Sequence, residues 1–179
     1  MSRAQLTLPT DPMLQLLTGA VFAESSTRWY GGEDHGEKEA IAWAILHMSH
    51  FATVKPPGRA RGYNSSFGDG TVLSAIRKAI VAFGGPRWSL VMNGNVLKPV
   101  ASLARLEPAD HEHLALCLVV TNAISPAPAL PHALATLGNR IPVQFNQATN
   151  SPPSADRQER IGRLGRHTFY AFKEGREAE

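Results

Sequence analysis

The stretch Asp11-Pro12-Met13-Leu14-Gln15-Leu16-Leu17-Thr18-Gly19-Ala20-Val21-Phe22-Ala23-Glu24-Ser25 decides how the rest of the chain is read. Asp11 has the short side-chain oxygen that satisfies free amides at a helix start, and Pro12 suits the first helical position. Met13, Leu17, Ala20 and Val21 recur at three- and four-residue spacing, which predicts a helix over about 11–25 with one buried face. One further step along that face reaches Glu24. A carboxyl group is thereby placed at the end of an apolar stripe, where burial disfavours its charged form.

A second helix is predicted from Asp34 to about Phe51, with Ala40, Ile41, Ala44, Ile45 and Met48 on its apolar side. Asp34 followed by Glu37 fits an acidic variant of the capping box. A third helix, over about 71–83, carries Val72, Leu73, Ile76, Ile80 and Phe83 and is stopped by Gly84-Gly85-Pro86. A fourth, over about 108–124, is apolar nearly all round in its second half and belongs in the core. Between these lie long loops. Residues 53–70 contain Pro56-Pro57-Gly58 and Gly62-Tyr63-Asn64-Ser65-Ser66, and a further loop follows Gly85. Extended structure is expected only at Pro142-Val143-Gln144-Phe145-Asn146 and over 166–172. The fold expected is therefore mainly α, a helical domain with long loops and at most a small β element.

At 179 residues, 43% of them hydrophobic and 18% charged, the chain has the size and composition of one folded domain. A single domain over 1–179 is expected, with short flexible ends at about 1–9 and 174–179. Thirteen prolines and fifteen glycines accord with the long loops. The one cysteine, Cys117, lies in an apolar run over 114–120 and reads as a buried thiol. The first nine residues lack the apolar core of a signal peptide, and no segment is long enough to span a bilayer, so synthesis in the cytoplasm is expected. The net charge of +3 favours anionic partners without choosing among them, because the basic residues are scattered.

The Ala20-Val21-Phe22-Ala23-Glu24-Ser25 segment resembles the glutamate-serine motif of lytic transglycosylases and goose-type lysozymes. A longer pattern, Ala23-Glu24, then Gly36, then Glu39-Ala40-Ile41-Ala42-Trp43-Ala44-Ile45-Leu46, resembles the opening of the spore-cortex-lytic cell-wall hydrolase family. Arg87-Trp88-Ser89 stands where that family has a glutamine, an aromatic residue and a serine. Ile161-Gly162 with His167-Thr168-Phe169-Tyr170 is similar to its closing glycine, histidine and aromatic pair.

The resemblance implies a lysozyme-like domain that cleaves the glycan strands of peptidoglycan, with Glu24 as the acid that protonates the glycosidic oxygen. Two carboxylates would separate inverting from retaining hydrolysis by their spacing, whereas a transglycosylase needs one. Glu33, Asp34 and Glu37 are the candidate second acids, Glu33 foremost because Asp34 and Glu37 also fit as caps of the second helix. Ser25, Trp29, Tyr30, Tyr63, Asn64, Trp88, Ser89, Asn93 and Tyr170 are candidate substrate contacts, aromatic faces for sugar rings and polar groups for hydroxyls and acetamides.

No cofactor is expected. His111-Glu112-His113 and His47 with His50 have metal-ligand residue types but not a usable spacing, so no metal is expected either. A basic, cytoplasmically made wall hydrolase further resembles a type VI secretion effector, acting in the periplasm or cell wall of a competitor. Such an effector implies an acidic immunity protein that blocks the cleft, and no nucleic-acid partner. Two alternatives stay open: a basic nuclease toxin or nucleic-acid-binding domain, and an inactive cell-wall binding module.

Overall fold

The structure, a computed structural model, describes residues 3–27, 33–55, 67–124, 128–147 and 156–173. Helix α1 (Pro12–Glu24) begins as the sequence predicts. Asp11 Oδ1 accepts from the Met13 amide at 2.8 Å, and the helix closes with the Ser25 amide on the Val21 carbonyl. Its burial exceeds a single stripe, since every residue from Leu17 to Glu24 is buried. Gly19 lets Met92 pack closely on the helix: a Cβ would lie 2.5 Å from Met92 Sδ and displace that side chain. Burying side chains such as Leu17, Val21 and Phe22 stabilises the fold by about 1.5–3 kcal/mol each.

Helix α2 (Glu33–Phe51) packs beside α1, with Ala40, Ile41, Ala44 and Ile45 fully buried. Helix α3 (Val72–Ala79) is capped by Thr71 Oγ1, which accepts from the Ser74 amide at 3.2 Å. It ends four residues before the predicted stop because Ile80 is already extended, at φ −119° and ψ 127°. The presumed loop after Gly85 contains a short helix, α4 (Pro86–Val91), a tight hairpin of β1 (Met92–Asn93) and β2 (Val96–Leu97), and the single turn α5 (Val100–Leu103). Helix α6 (Pro108–Asn122) lies along α1, where the hydroxyls of Thr18 and Thr121 are 2.6 Å apart.

A short 3-10 turn (Ala135–Leu137) precedes a three-stranded antiparallel sheet. The sheet consists of β3 (Gln144–Gln147), β4 (Gln158–Leu164) and β5 (His167–Phe172), in the order β3-β5-β4. Helix α2 packs against it.

The mainly α expectation is thus corrected. Of the described residues 47% are helical and 16% are in strands, and two antiparallel sheets make the architecture mixed α and β. Strand β4 carries the difference. Its sequence Gln-Glu-Arg-Ile-Gly-Arg-Leu has too few apolar residues to alternate visibly, because it is an edge strand. A register shift between Arg160 and Gly162 interrupts its pairing as well. No helix among the described residues is long and apolar enough to cross a membrane.

Candidate functional site

The C-terminal end of α1 is held by two arginines and a histidine. The last carbonyls of a helix have no partner within it and carry partial negative charge. Here the Phe22 carbonyl accepts from Arg87 Nη2 at 2.9 Å and His113 Nε2 at 3.0 Å. Arg87 Nε donates to the Ala23 carbonyl at 3.2 Å, and Arg166 Nη2 donates to the Glu24 carbonyl at 2.8 Å. The terminus is fixed from three directions, and Glu24 with it.

Glu24 is 8% exposed and borders a cleft of about 520 Å³. Ala79, Val81 and Ala82 form an apolar part of the wall; Phe145, Asn146 and Gln147 of β3 and the guanidinium groups of Arg87 and Arg166 supply the rest. Gln147 Nε2 donates to Glu24 Oε1 at 3.3 Å, and His167 Nε2 lies 3.1 Å from the same oxygen. His167 is fully buried, and its Nδ1 is 2.7 Å from Glu37 Oε1. Glu37, also fully buried, accepts from the Arg166 amide on Oε1 at 3.1 Å and from the Ser26 amide on Oε2 at 2.8 Å. A carboxylate, an imidazole and a second carboxylate therefore stand in line, with only the first at the cleft.

The charges support one another. Burial alone would lower the His167 pKa, but hydrogen bonds to Glu24 and Glu37 outweigh it and raise the value above that of a free histidine. Burial likewise pushes Glu37 upward; the His167 hydrogen bond and the two amides reverse this and hold it below the ordinary carboxyl range. The raised His167 pKa favours its imidazolium form, in which Nδ1–H donates to Glu37 and Nε2–H to Glu24.

The hairpin between β4 and β5 sets this line. Gly165 has φ +56° at the first central position of the two-residue turn, a conformation suited to glycine. A Cβ at that position would come 2.5 Å from Glu37 Cδ. The turn thus presses against the buried carboxylate while delivering Arg166 and His167 on either side of Glu24.

The candidate contacts read from the sequence are scattered. Ser25 is buried, its hydroxyl donating to the Val21 carbonyl at 2.5 Å. Trp88 belongs to the core, its ring 4.7 Å from that of Phe83 and its indole N–H donating to the Gly94 carbonyl at 3.2 Å. Ser89 is exposed on α4, and Asn93 is exposed on the β1–β2 hairpin. Neither lines the cleft. Tyr170 is buried, and its hydroxyl donates to Asn146 Oδ1 at 3.0 Å, so it steadies a residue of the wall without facing the cleft.

Trp29, Tyr30, Tyr63 and Asn64 lie outside the described residues, as does the side chain of Glu33. Glu37, read as a helix cap, is instead the buried partner of His167. His47 has no free nitrogen, for Nδ1 donates to the Pro142 carbonyl at 2.7 Å and Nε2 accepts from the His132 amide at 2.8 Å. Burial lowers its pKa to about 4.

Sequence reasoning did not assign Arg166, Asn146, Gln147 or a role for His167. Only the last had a signal, in the histidine before the aromatic pair. Gln147 is 123 residues from Glu24 and carries no local mark of its function. Arg87, at a position where a glutamine was expected, caps α1, while Gln147 supplies the amide beside the acid. The chain matches no family model, no curated protein sequence and no solved structure.

Proposed function

We propose that this protein cleaves the glycan strands of peptidoglycan, with Glu24 as the proton-transferring group. The observation that carries the reading is the line from Glu24 through His167 to Glu37, which opens on the cleft only at Glu24. Glycosidic cleavage needs a proton for the leaving oxygen, and a partly buried carboxyl beside a protonated imidazole is a source of one. A sugar seated in the cleft displaces water from Glu24, and lost hydration disfavours separated charge. The His167 Nε2 proton then moves to Glu24 and on to the glycosidic oxygen. His167 is left neutral, its Nδ1–H still on Glu37. The incoming water or sugar hydroxyl returns the proton through Glu24. Glu37 touches no substrate; it holds the His167 tautomer, and therefore acts as a positioning residue.

In this reading the protein is an antibacterial effector that meets its substrate in a competitor's periplasm or wall. The cleft would then be the surface that an acidic immunity protein blocks, since two guanidinium groups line it.

Digestion of purified peptidoglycan by the wild type and by Glu24→Gln, with both shown to fold alike, tests the proposal. Reducing or anhydro ends released only by the wild type support it and separate hydrolase from transglycosylase. Equal release by both, or none by either, rejects Glu24.

The same guanidinium groups favour a second reading, cleavage of a phosphodiester in nucleic acid. Against it, His167 is fully buried behind Glu24 and presents no imidazole to a leaving oxygen. Incubation with RNA and DNA alongside peptidoglycan decides between them.

A further inference from the structure

Arg87 and Arg166 both line the cleft beside Glu24, yet their side-chain hydrogen bonds all run to backbone carbonyls of α1. Neither has a carboxylate partner within ion-pair distance among the described residues. A guanidinium has five N–H donors. Arg166 spends one of them on Glu24, and Arg87 two on Phe22 and Ala23.

Two like charges are also brought close together. Burial and then the positive charge of Arg166 draw the Arg87 pKa below its ordinary value, against the pull of Asp110. Asp110 and Glu24 offset part of this pair's charge, and the α1 carbonyls that the two guanidinium groups bond supply only partial charge. A ligand with a full negative charge completes the balance and uses the planar donor forks left over. Ala79, Val81 and Ala82 share the cleft, with Val81 fully exposed, so the anion's surroundings include an apolar wall as well.

We propose that Arg87 and Arg166 form a carboxylate-binding subsite next to Glu24, which takes the lactyl side chain of a muramic acid residue or the first carboxylate of its peptide stem. Both sources offer a carboxylate tethered to the muramic acid: the lactyl group where the stem is absent, and the glutamate of the stem where the lactyl and alanine carboxyls are tied up in amide bonds. The inference rests on the glycan reading and makes it specific: Glu24 acts at a bond flanked by the acidic sugar, and a neutral polymer of N-acetylglucosamine is a poor substrate.

The test is binding of uncleavable monosaccharides to the wild-type protein by calorimetry, at low salt. N-acetylmuramic acid should bind at least tenfold more tightly than its methyl ester or N-acetylglucosamine, and Arg166→Gln should abolish the ratio. N-acetylmuramoyl-alanyl-glutamate binding more tightly than N-acetylmuramic acid places the carboxylate on the stem; the reverse order places it on the lactyl group. Equal affinity for acid and ester overturns the subsite, even if peptidoglycan is digested. A short RNA that binds more tightly than any sugar overturns it in favour of phosphate. Absence of both sugar binding and digestion removes the glycan reading itself. Should Arg166→Gln fail to fold, the ratio of acid to ester on the wild type decides alone.

Discussion

Replacing Glu37 by glutamine tests the buried line directly. Glu37 uses both oxygens as acceptors, Oε2 for the Ser26 amide at 2.8 Å and Oε1 for the Arg166 amide at 3.1 Å and His167 Nδ1 at 2.7 Å. Glutamine has one oxygen and one NH2 group, so in either orientation a donor faces a donor. An unsatisfied buried group costs about 1–3 kcal/mol, and breaking a buried ion pair by removing one partner costs about 3–5 kcal/mol. Because the two penalties overlap at the same atoms, a total loss of about 3–5 kcal/mol is expected in denaturant unfolding at pH 7.

The second consequence is in titration. Without the Glu37 charge, burial regains its lowering effect on His167, and the imidazolium gives up its proton at lower pH than in the wild type. The native protein's raised His167 pKa gives stability that is fully present below the unfolded value, near 6.5, and is lost as pH rises through the folded value. Glu37→Gln should reduce that alkaline loss, the Glu24 hydrogen bond remaining. An NMR titration of the His167 ring reports the shift without relying on any activity, and the alkaline limb of a wall-digestion profile should move with it. A variant within about 1 kcal/mol of wild type, with an unmoved His167 titration, would refute the reasoning.

Further expectations follow from individual contacts. Gly165→Ala meets both a positive φ and the Glu37 carboxyl at 2.5 Å, and should cost about 2–4 kcal/mol and lower the His167 pKa; a stable protein with an unchanged titration contradicts the close approach. Tyr170→Phe removes the hydroxyl that holds Asn146, for about 1–2 kcal/mol in stability and a weaker KM with little change in kcat. His47 and His113 stay neutral in the fold, burial having lowered their pKa values to about 4 and about 3, while the unfolded chain takes up protons at 6.5. Stability should therefore fall by about 1.4 kcal/mol per histidine for each pH unit below 6.5. His167, protonated in both states well below 6.5, opposes the slope only near and above that value, and Glu37 adds to it only as pH approaches 4.5. Chemical melts at pH 7, 6 and 5 measure it, and a flat series excludes it.

The helices were legible to the degree that their signals are local. Asp11-Pro12 and the spacing from Met13 to Val21 specify α1 within a residue or two, and the apolar face of α2 does the same. Glu24 is readable as a terminus because helical spacing alone carries the eye to it. The sheet is less visible because its strands depend on one another. Strand β5 has Thr, Phe, Tyr and Phe and declares itself, but β4 is polar and acquires its conformation from pairing with β5. The site fares likewise. Glu37 looked like a cap since Asp34 and Glu37 have the right spacing for one, and nothing nearby points to a histidine 130 residues away. Trp88 and Tyr170 looked like sugar platforms because residue type does not reveal burial.

The order of synthesis gives the central strand an added role. Glu24 leaves the ribosome 143 residues before His167, an interval of roughly 7–30 s. Until then α1 ends without its Arg166 cap, the imidazole and the strand between β3 and β4. A nascent or prematurely terminated chain consequently carries Glu24 and Glu37 but not the imidazole that joins them. The line from Glu24 to Glu37 is completed in one step, when the last hairpin docks.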